Sequence, residues 1–391
     1  MKVLFVHDHR FLVDLESNIY SSGQFPYKVW KRYLNFFDEV NVLSRSGTVT
    51  KSECSSLDSA DGPQVNFHFV PDITTPLGMA KNFPVVLKTI KSHLNQVDAV
   101  IARTSLLGNI AAYLAGLNDK PYAIEVVGCS WDAYWNYGKL SGKIVAPFTY
   151  FLARRCIKKS DFTLYVTNNF LQKRYPAYGT TTNVSNVELL DVAESTLLKR
   201  KARINENNPK HVFGIIGSLE SKYKGIQTAL AAFSQIRDKM PDFELQVLGG
   251  GNPDYWTQMA SRLGLEENVR FIGLLPSGHA VYNWLDGVDV YLQPSLNEGL
   301  PRALIEALSR GCPAIGSSAG GIPELLERDV LHKPGDFKHL ATLILQSVDK
   351  EWKEKHCCKN FETSKHYLKE VLDERRNYFW KSFADSLQPP C

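Results

Sequence analysis

The sequence predicts an α/β protein made of two doubly wound parallel-sheet domains facing a cleft. Three observations predict it. Apolar runs of strand length alternate with helix-length amphipathic stretches along most of the chain, the pattern of βαβ units. The alternation breaks near 195–210, in the charged, Pro-closed stretch KRKARINENNPK, which reads as the inter-domain linker, and then restarts. At 391 residues, 44% apolar and 22% charged, the chain is long enough for two ordinary cores, which excludes a disordered or collagen-like chain.

In the first half, KVLFV at 2–6 reads as a buried strand, followed by a polar loop containing Ser21-Ser22-Gly23. A helix is expected from Tyr27 to Phe37, a strand at NVLS 41–44, and a Ser/Thr/Asp/Gly-rich loop over 45–64. VNFHFV at 65–70, DAVIAR at 98–103, PYAIEVV at 121–127 and TLYVT at 163–167 continue the strands, with LLGNIAAYLAGL as a helix between the second and third. After the break come HVFGIIG (211–217), FELQVLG (243–249), VRFIG (269–273), VDVYLQ (288–293) and CPAIG (312–316). Helices are expected from about 224, near 255–263, near 279–286 and after Pro301. The tail over 351–385 is helical, and its aromatic residues at helical spacing indicate packing. The expected division is 1–195, 196–365, and a terminal helix over 366–391 that crosses the junction back to the first domain.

Composition narrows the function classes. The net charge is +4, too weak to imply nucleic acid as a partner. Residues 1–190 carry 20 Lys+Arg against 15 Asp+Glu, so the basic excess sits there. Seven cysteines (Cys54, Cys129, Cys156, Cys312, Cys357, Cys358 and Cys391), with no C-x-x-C, fit reduced thiols in a cytoplasmic protein. No signal peptide and no transmembrane run is visible.

The most informative stretch is Pro294 to Ala307, PSLNEGLPRALIEA, directly after the strand VYLQ. Pro301 suits the first turn of a helix, where its missing N–H costs nothing. The amides of Gly299, Leu300 and the first turn then face the cleft and suit a phosphate or a polar sugar face. Glu298 precedes the helix and can accept hydrogen bonds from hydroxyls. Glu306 lies about two turns along and can grip a second polyol such as a ribose diol. Two carboxylates at this spacing can hold two sugars joined by a diphosphate. Taken without its flanks, an E-x7-E pair is a loop residue and a solvated helix residue; the strand, the Gly, the Pro and the following GCPAIGSSAGGIPELL argue for the functional reading. After KVLFV there is no G-x-G-x-x-G but His7-Asp8-His9-Arg10, which speaks against a dinucleotide oxidoreductase. Two histidines at i, i+2 with no third ligand are structural.

The segment 288–326 resembles the family-4 retaining glycosyltransferases of GT-B fold, glycosyl transferases group 1, with two Rossmann-like domains. Their signature is E-x7-E between a strand and a helix, then G-x-P-hydrophobic, then a G-G-hydrophobic-x-E turn. It stands here as Glu298 and Glu306, Gly311-Cys312-Pro313, and Gly320-Gly321-Ile322-Pro323-Glu324. The resemblance covers 211–340 well and the first half more loosely. It implies a retaining hexosyl transfer from a nucleotide-sugar to a glycan or polyprenyl-diphosphate-linked acceptor, in assembly of a bacterial surface polysaccharide such as O-antigen, capsule or exopolysaccharide. Front-face attack, with the leaving diphosphate taking the acceptor proton, is also implied.

The resemblance also implies roles. Lys224, in GSLESKYKG, lies against the donor diphosphate and acts with Glu298 in catalysis. Ser218 stands where the family has an Arg; Lys222 could supply that charge, although a solvated loop lysine is the plainer reading. Gly273 and Leu274 fall in the stretch that reads the nucleotide base, and Gly249-Gly250-Gly251 resembles the G-x-G turn. Gly23 matches one half of the family's glycine doublet near the donor phosphates. The family His after an N-domain strand is absent from Gly128-Cys129-Ser130. Arg103, Glu125 and Asp132, with Asn109 more weakly, are acceptor candidates. No D-x-D occurs, so the positive charge at the diphosphate is assigned to Lys224 and the helix terminus, and a metal-independent reaction without cofactor is expected.

Residues 139–159 place Lys139, Lys143, Arg154, Arg155, Lys158 and Lys159 beside Phe148, Tyr150, Phe151 and Leu152. This helix either packs on the sheet in the ordinary way or lies on the anionic inner face of the cytoplasmic membrane. Two other readings share the fold: a sugar-nucleotide epimerase, for which no clear acid/base set is present, and a non-catalytic nucleotide-sugar-binding partner.

Overall fold

The computed structural model describes residues 1–391 except 24, 52, 55–56, 136–139, 190–191, 207 and 389–391. Lys139 and Cys391 thus lie outside the described residues. The chain divides into two units. The first holds Met1–Val166, Leu171–Val184 and Asp373–Cys391; the second holds Thr167–Phe170 and Ser185–Leu372.

The first unit follows β1 (Lys2–Val13), β2 (Ile19–Ser21), α1 (Tyr27–Leu34), β3 (Glu39–Thr48), β4 (Asp58–Ser59), β5 (Val65–Phe69), α2 (Pro76–Leu94), β6 (Ala99–Arg103), α3 (Leu106–Leu117), β7 (Tyr122–Val126), α4 (Ser130–Trp135), α5 (Leu140–Lys159), β8 (Phe162–Tyr165), α6 (Phe170–Arg174) and β9 (Thr180–Asn183). The sheet runs β4-β2-β1-β6-β7-β8-β9, with β3 joining β1 to β5. β1 pairs parallel with β3 and β6.

β1 overturns one expectation. The polar HDHR does not open a loop: β1 bulges between Val6 and Arg10, then re-pairs Arg10–Val13 with Arg45–Thr48 of β3. It also takes β2 antiparallel at Leu12 and Val13. A bulge lets the polar residues leave the core without ending the strand. The Asp8 carboxylate accepts from the Leu106 and Leu107 amides at 2.9 and 3.0 Å, closing the N terminus of α3. His9 Nε2 meets Ser21 Oγ at 3.0 Å. Burial, with Arg103 nearby, holds His7 well below the usual imidazole value and His9 down to about 4, so both are neutral packing groups.

The second unit follows α7 (Glu194–Asn205), β10 (His211–Ile216), α8 (Ile226–Ile236), β11 (Phe243–Leu248), α9 (Asp254–Arg262), β12 (Val269–Gly273), α10 (His279–Asp286), β13 (Val290–Gln293), α11 (Arg302–Ser309), β14 (Ala314–Ser317), β15 (Leu331–His332), α12 (Phe337–Gln346) and α13 (Lys350–Lys365); the last helix, α14 (Lys369–Ser386), begins in this unit and belongs to the first from Asp373 on. Its strands are all parallel in the order β12-β11-β10-β13-β14-β15. That is the doubly wound order, and its direction reverses between β10 and β13. The core beneath is Phe213, Phe233, Leu245, Trp256, Leu292, Ile315 and their neighbours.

Two boundaries differ from expectation. The stretch near 195–210 is not a linker: it forms α7, part of the second unit, which begins at Ser185. Buried Arg200 donates to the carbonyls of Val288, Leu285 and Arg310 at 2.5, 2.8 and 3.2 Å, and Arg203 pairs with Asp289 at 2.9 Å. Charges that read as a solvated tether are a guanidinium fork set on backbone oxygens. The tail breaks at His366-Tyr367-Leu368 into α13 and α14, and residues from Asp373 return to the first unit. There Trp380 packs edge-on to Tyr33 at 5.2 Å, and Phe383 against Phe162 at 5.2 Å.

Candidate functional site

Ligands of doubly wound sheets bind beyond the carboxyl ends of the strands where the order reverses. In the second unit that place is formed by the loops after β10 and β13. They are laid side by side. The Leu296 amide donates to the Tyr223 carbonyl at 2.7 Å. Gly225 has φ +79°, and a Cβ there would sit 2.0 Å from the Pro294 carbonyl oxygen, so both its conformation and its position require glycine.

Residues 222–224 form a 3-10 turn before α8. It carries the Lys224 ammonium to Glu298 Oε1 at 2.7 Å, with the two side chains 18% and 9% exposed. Gln293 Nε2 and Ser295 Oγ donate to the same oxygen at 3.0 and 2.9 Å. Gln293 is held in turn by the Tyr291 hydroxyl, which donates to its Oε1 at 2.9 Å, and it donates to Ser295 Oγ at 2.8 Å. Tyr291, Gln293 and Ser295 are buried. All three donors to Glu298 thus fall on Oε1, and Oε2 has no protein partner among the described residues.

α11 begins after Pro301, which precedes the helix rather than entering its first turn, and has no side-chain cap. The amides of Gly299, Leu300, Arg302 and Ala303 make no protein hydrogen bond among the described residues. Such donors carry partial positive charge for an anion. Glu306 lies on α11. Burial raises its pKa, with Arg302 opposing. Burial pushes the Tyr291 phenol up, and the nearby negative charges of Glu298 and Glu306 add to the shift. The loop after β14 supports this tip from behind: the Gly321 amide donates to the Gly299 carbonyl at 2.7 Å.

The other expected residues divide. Ser218 is exposed and accepts from the Glu220 amide at 3.2 Å. Lys222 lies over the Tyr255 ring at 4.6 Å. Gly273 has φ +80°, and its carbonyl accepts from the Gly249 amide at 2.8 Å. Leu274 is 79% exposed and packs against Gly250, an apolar shelf at the end of β12.

The remaining four belong to the first unit. Gly23 has φ +73° and open space at its Cα. Glu125 is buried, with Tyr33 donating to Oε1 at 2.7 Å and Arg103 facing Oε2 at 3.7 Å. Asp132 pairs with Arg174 at 3.0 Å. Glu125 is therefore spent inside the unit, a correction to its reading as an acceptor contact.

Sequence reasoning missed Gln293, Ser295 and Tyr291, although the i, i+2 spacing on a buried strand places two of them on one side. It also missed what Glu324 does: its carboxylate accepts from the amides of Asn168, Asn169 and Phe170 at 2.5, 3.0 and 2.7 Å. Among the described residues, Glu327, Asp329 and His356 bring possible metal ligands within 4.8 Å of one another. Lys355 already pairs with that aspartate at 2.7 Å.

Two doubly wound units, one carrying a cation and a half-partnered carboxylate at its switch point, define the class of GT-B glycosyltransferases. The profile of "Glycosyl transferases group 1" matches residues 210–350. Protein CapJ of Staphylococcus aureus is 32% identical over 364 residues, covering 92% of this chain and 90% of that protein. The chain belongs to the group 1 glycosyltransferases and is a transferase enzyme. The amylovoran biosynthesis glycosyltransferase AmsK of Erwinia amylovora is 28% identical over 295 residues, covering 67% and 70%. Among solved structures, Anabaena HepE in complex with UDP-glucose superimposes with a TM-score of 0.62 at 19% identity, covering 99% of both chains.

Proposed function

We propose that this glycosyltransferase breaks the anomeric C–O bond of a nucleoside-diphosphate hexose and transfers the sugar, with retained configuration, to a hydroxyl of a glycan or polyprenyl-diphosphate-linked acceptor. The process it serves is assembly of a bacterial surface polysaccharide, as O-antigen, capsule or exopolysaccharide. AmsK, named for amylovoran biosynthesis, and HepE, solved with UDP-glucose, support that reading.

As the C–O bond breaks, negative charge grows on the departing diphosphate. Lys224 and the free amides of α11 face that charge without reorganising, a preorganised electrostatic effect. Glu298 Oε2 accepts from hydroxyls of the hexose while Oε1 is held still. Glu306 grips the ribose diol. Leu274 and the Gly273 backbone take the base, and Ser218 and Lys222 line the phosphate approach. The acceptor O–H attacks from the face the diphosphate leaves, and its proton passes to a diphosphate oxygen. Lys224 and the helix tip supply the cationic charge a divalent ion would otherwise bring, so transfer proceeds without metal or cofactor. Gly23, Arg103 and Asp132 serve ligand recognition in the first unit.

The observation that carries this reading is the Glu298 carboxylate with three donors on one oxygen and none on the other, beside Lys224. Incubating the protein with labelled UDP-, GDP- and ADP-hexoses plus lipid-linked glycan acceptors in EDTA tests it. Transfer is the expected outcome. Epimerised free donor, donor binding without turnover, or an absolute need for divalent metal would each refute it.

A further inference from the structure

The donor site leaves α5 unexplained. Its inner face does what the fold needs: Ala146, Thr149, Ala153, Cys156 and Ile157 are buried. The Tyr122 hydroxyl donates to the Cys156 carbonyl at 3.0 Å, fixing that face to β7. The outer face should then be polar. It is not. Ile144, Phe148 and Phe151, spaced four and three residues apart, form one stripe and are 73%, 62% and 65% exposed. Tyr113 and Leu117 on neighbouring α3 add exposed apolar surface one turn apart.

The charge carried by α5 itself has one sign. α5 holds Lys143, Arg154, Arg155, Lys158 and Lys159 and no Asp or Glu. These cations lie against aromatic rings: Lys143 over Trp135 at 5.6 Å, Arg155 over Tyr113 at 5.9 Å, and Lys158 over Tyr178 at 5.2 Å. Tyr178 is itself exposed. Amphipathic rings and long basic side chains around an apolar stripe suit a lipid interface, where rings sit at headgroup depth and cations meet phosphate. Among the described residues no helix is long and apolar enough to cross a membrane, so contact through α5 would be in the plane of the surface.

We propose that the outer face of α5 docks the enzyme on an anionic bilayer surface, with Ile144, Phe148 and Phe151 entering the acyl boundary and the five cations meeting lipid phosphates. This goes beyond the donor-site reading and stands or falls independently of it.

The test is co-sedimentation of the full chain with vesicles of phosphatidylcholine alone or mixed with phosphatidylglycerol, at low and high salt. Binding to the mixed vesicles, weakened by salt, is expected. The triple variant Ile144→Ser/Phe148→Ser/Phe151→Ser changes only exposed side chains and should lose binding about tenfold or more. Arg155→Glu/Lys158→Glu should abolish the preference for anionic lipid. Circular dichroism confirms that each variant is folded. Equal binding to both vesicles, binding untouched by the triple variant, or no vesicle binding would overturn the proposal. A self-association or protein partner that the triple variant abolishes would equally reassign the face.

Discussion

Glu125 in the first unit and Glu298 in the second are both shielded carboxylates at or just past the carboxyl end of a parallel strand, each facing a cation and a hydroxyl. Their oxygens are used differently. Tyr33 takes one oxygen of Glu125 and Arg103 the other. Glu298 receives Lys224, Gln293 and Ser295 on Oε1 alone. The helix tips repeat the contrast: Asp8 closes α3, while α11 has no side-chain cap. A carboxylate with both oxygens facing groups of its own unit reads as structural, whereas one anchored through a single oxygen keeps the other able to accept.

The largest effect that could break this comparison is at Glu298. Glu298→Gln should cut transfer about 100-fold with little change in melting temperature, read from initial rates beside a thermal melt. Equal activity would mean that the free oxygen binds nothing. Glu125→Ala should do the reverse. It leaves buried charge unpaired and should cost about 3 kcal/mol of stability by denaturant titration; an undiminished midpoint would remove the structural assignment.

Glu306 sharpens the comparison, since burial raises its pKa and Arg302 offsets that only in part. A raised carboxyl binds its proton more tightly folded than unfolded. Its ionisation therefore opposes folding, fully so above the raised pKa; the cost shrinks as pH falls through that value and is gone below the ordinary carboxylate range. Glu306→Gln should raise the melting temperature at neutral pH while weakening donor binding about tenfold by calorimetry. Wild-type donor affinity should fall as pH drops through the raised value, and the variant's should stay flat over that window. The smallest effect is expected at Ser295. Ser295→Ala removes one of three donors to Oε1 and should lower kcat a few-fold with KM nearly unchanged. A change confined to KM would assign Ser295 to binding rather than positioning.

Much of this was legible. The strand runs HVFGIIG, FELQVLG and VDVYLQ marked the second sheet, and the composite motif from Glu298 to Glu324 marked the candidate site. They were readable because a buried parallel strand is nearly continuous in apolar residues. β1 was read too short because His7, Asp8 and His9 look like a turn, and only tertiary partners (the α3 amides and Ser21) make them strand residues. α7 was read as a tether because periodicity cannot distinguish a solvated arginine from one that forks onto Val288 and Leu285. The buried relay behind Glu298 was invisible for a related reason: which oxygen is occupied depends on strands distant in sequence.

The four residues Thr167–Phe170 belong to the second unit although they interrupt the first, and Glu324 receives three of their amides. A gene fragment starting at Ser185 would leave that carboxylate without the strip of backbone it fastens. Dissecting this enzyme by truncation is therefore a poor route to an autonomous second unit; a permuted chain that keeps the strip attached would be the sounder way to isolate it.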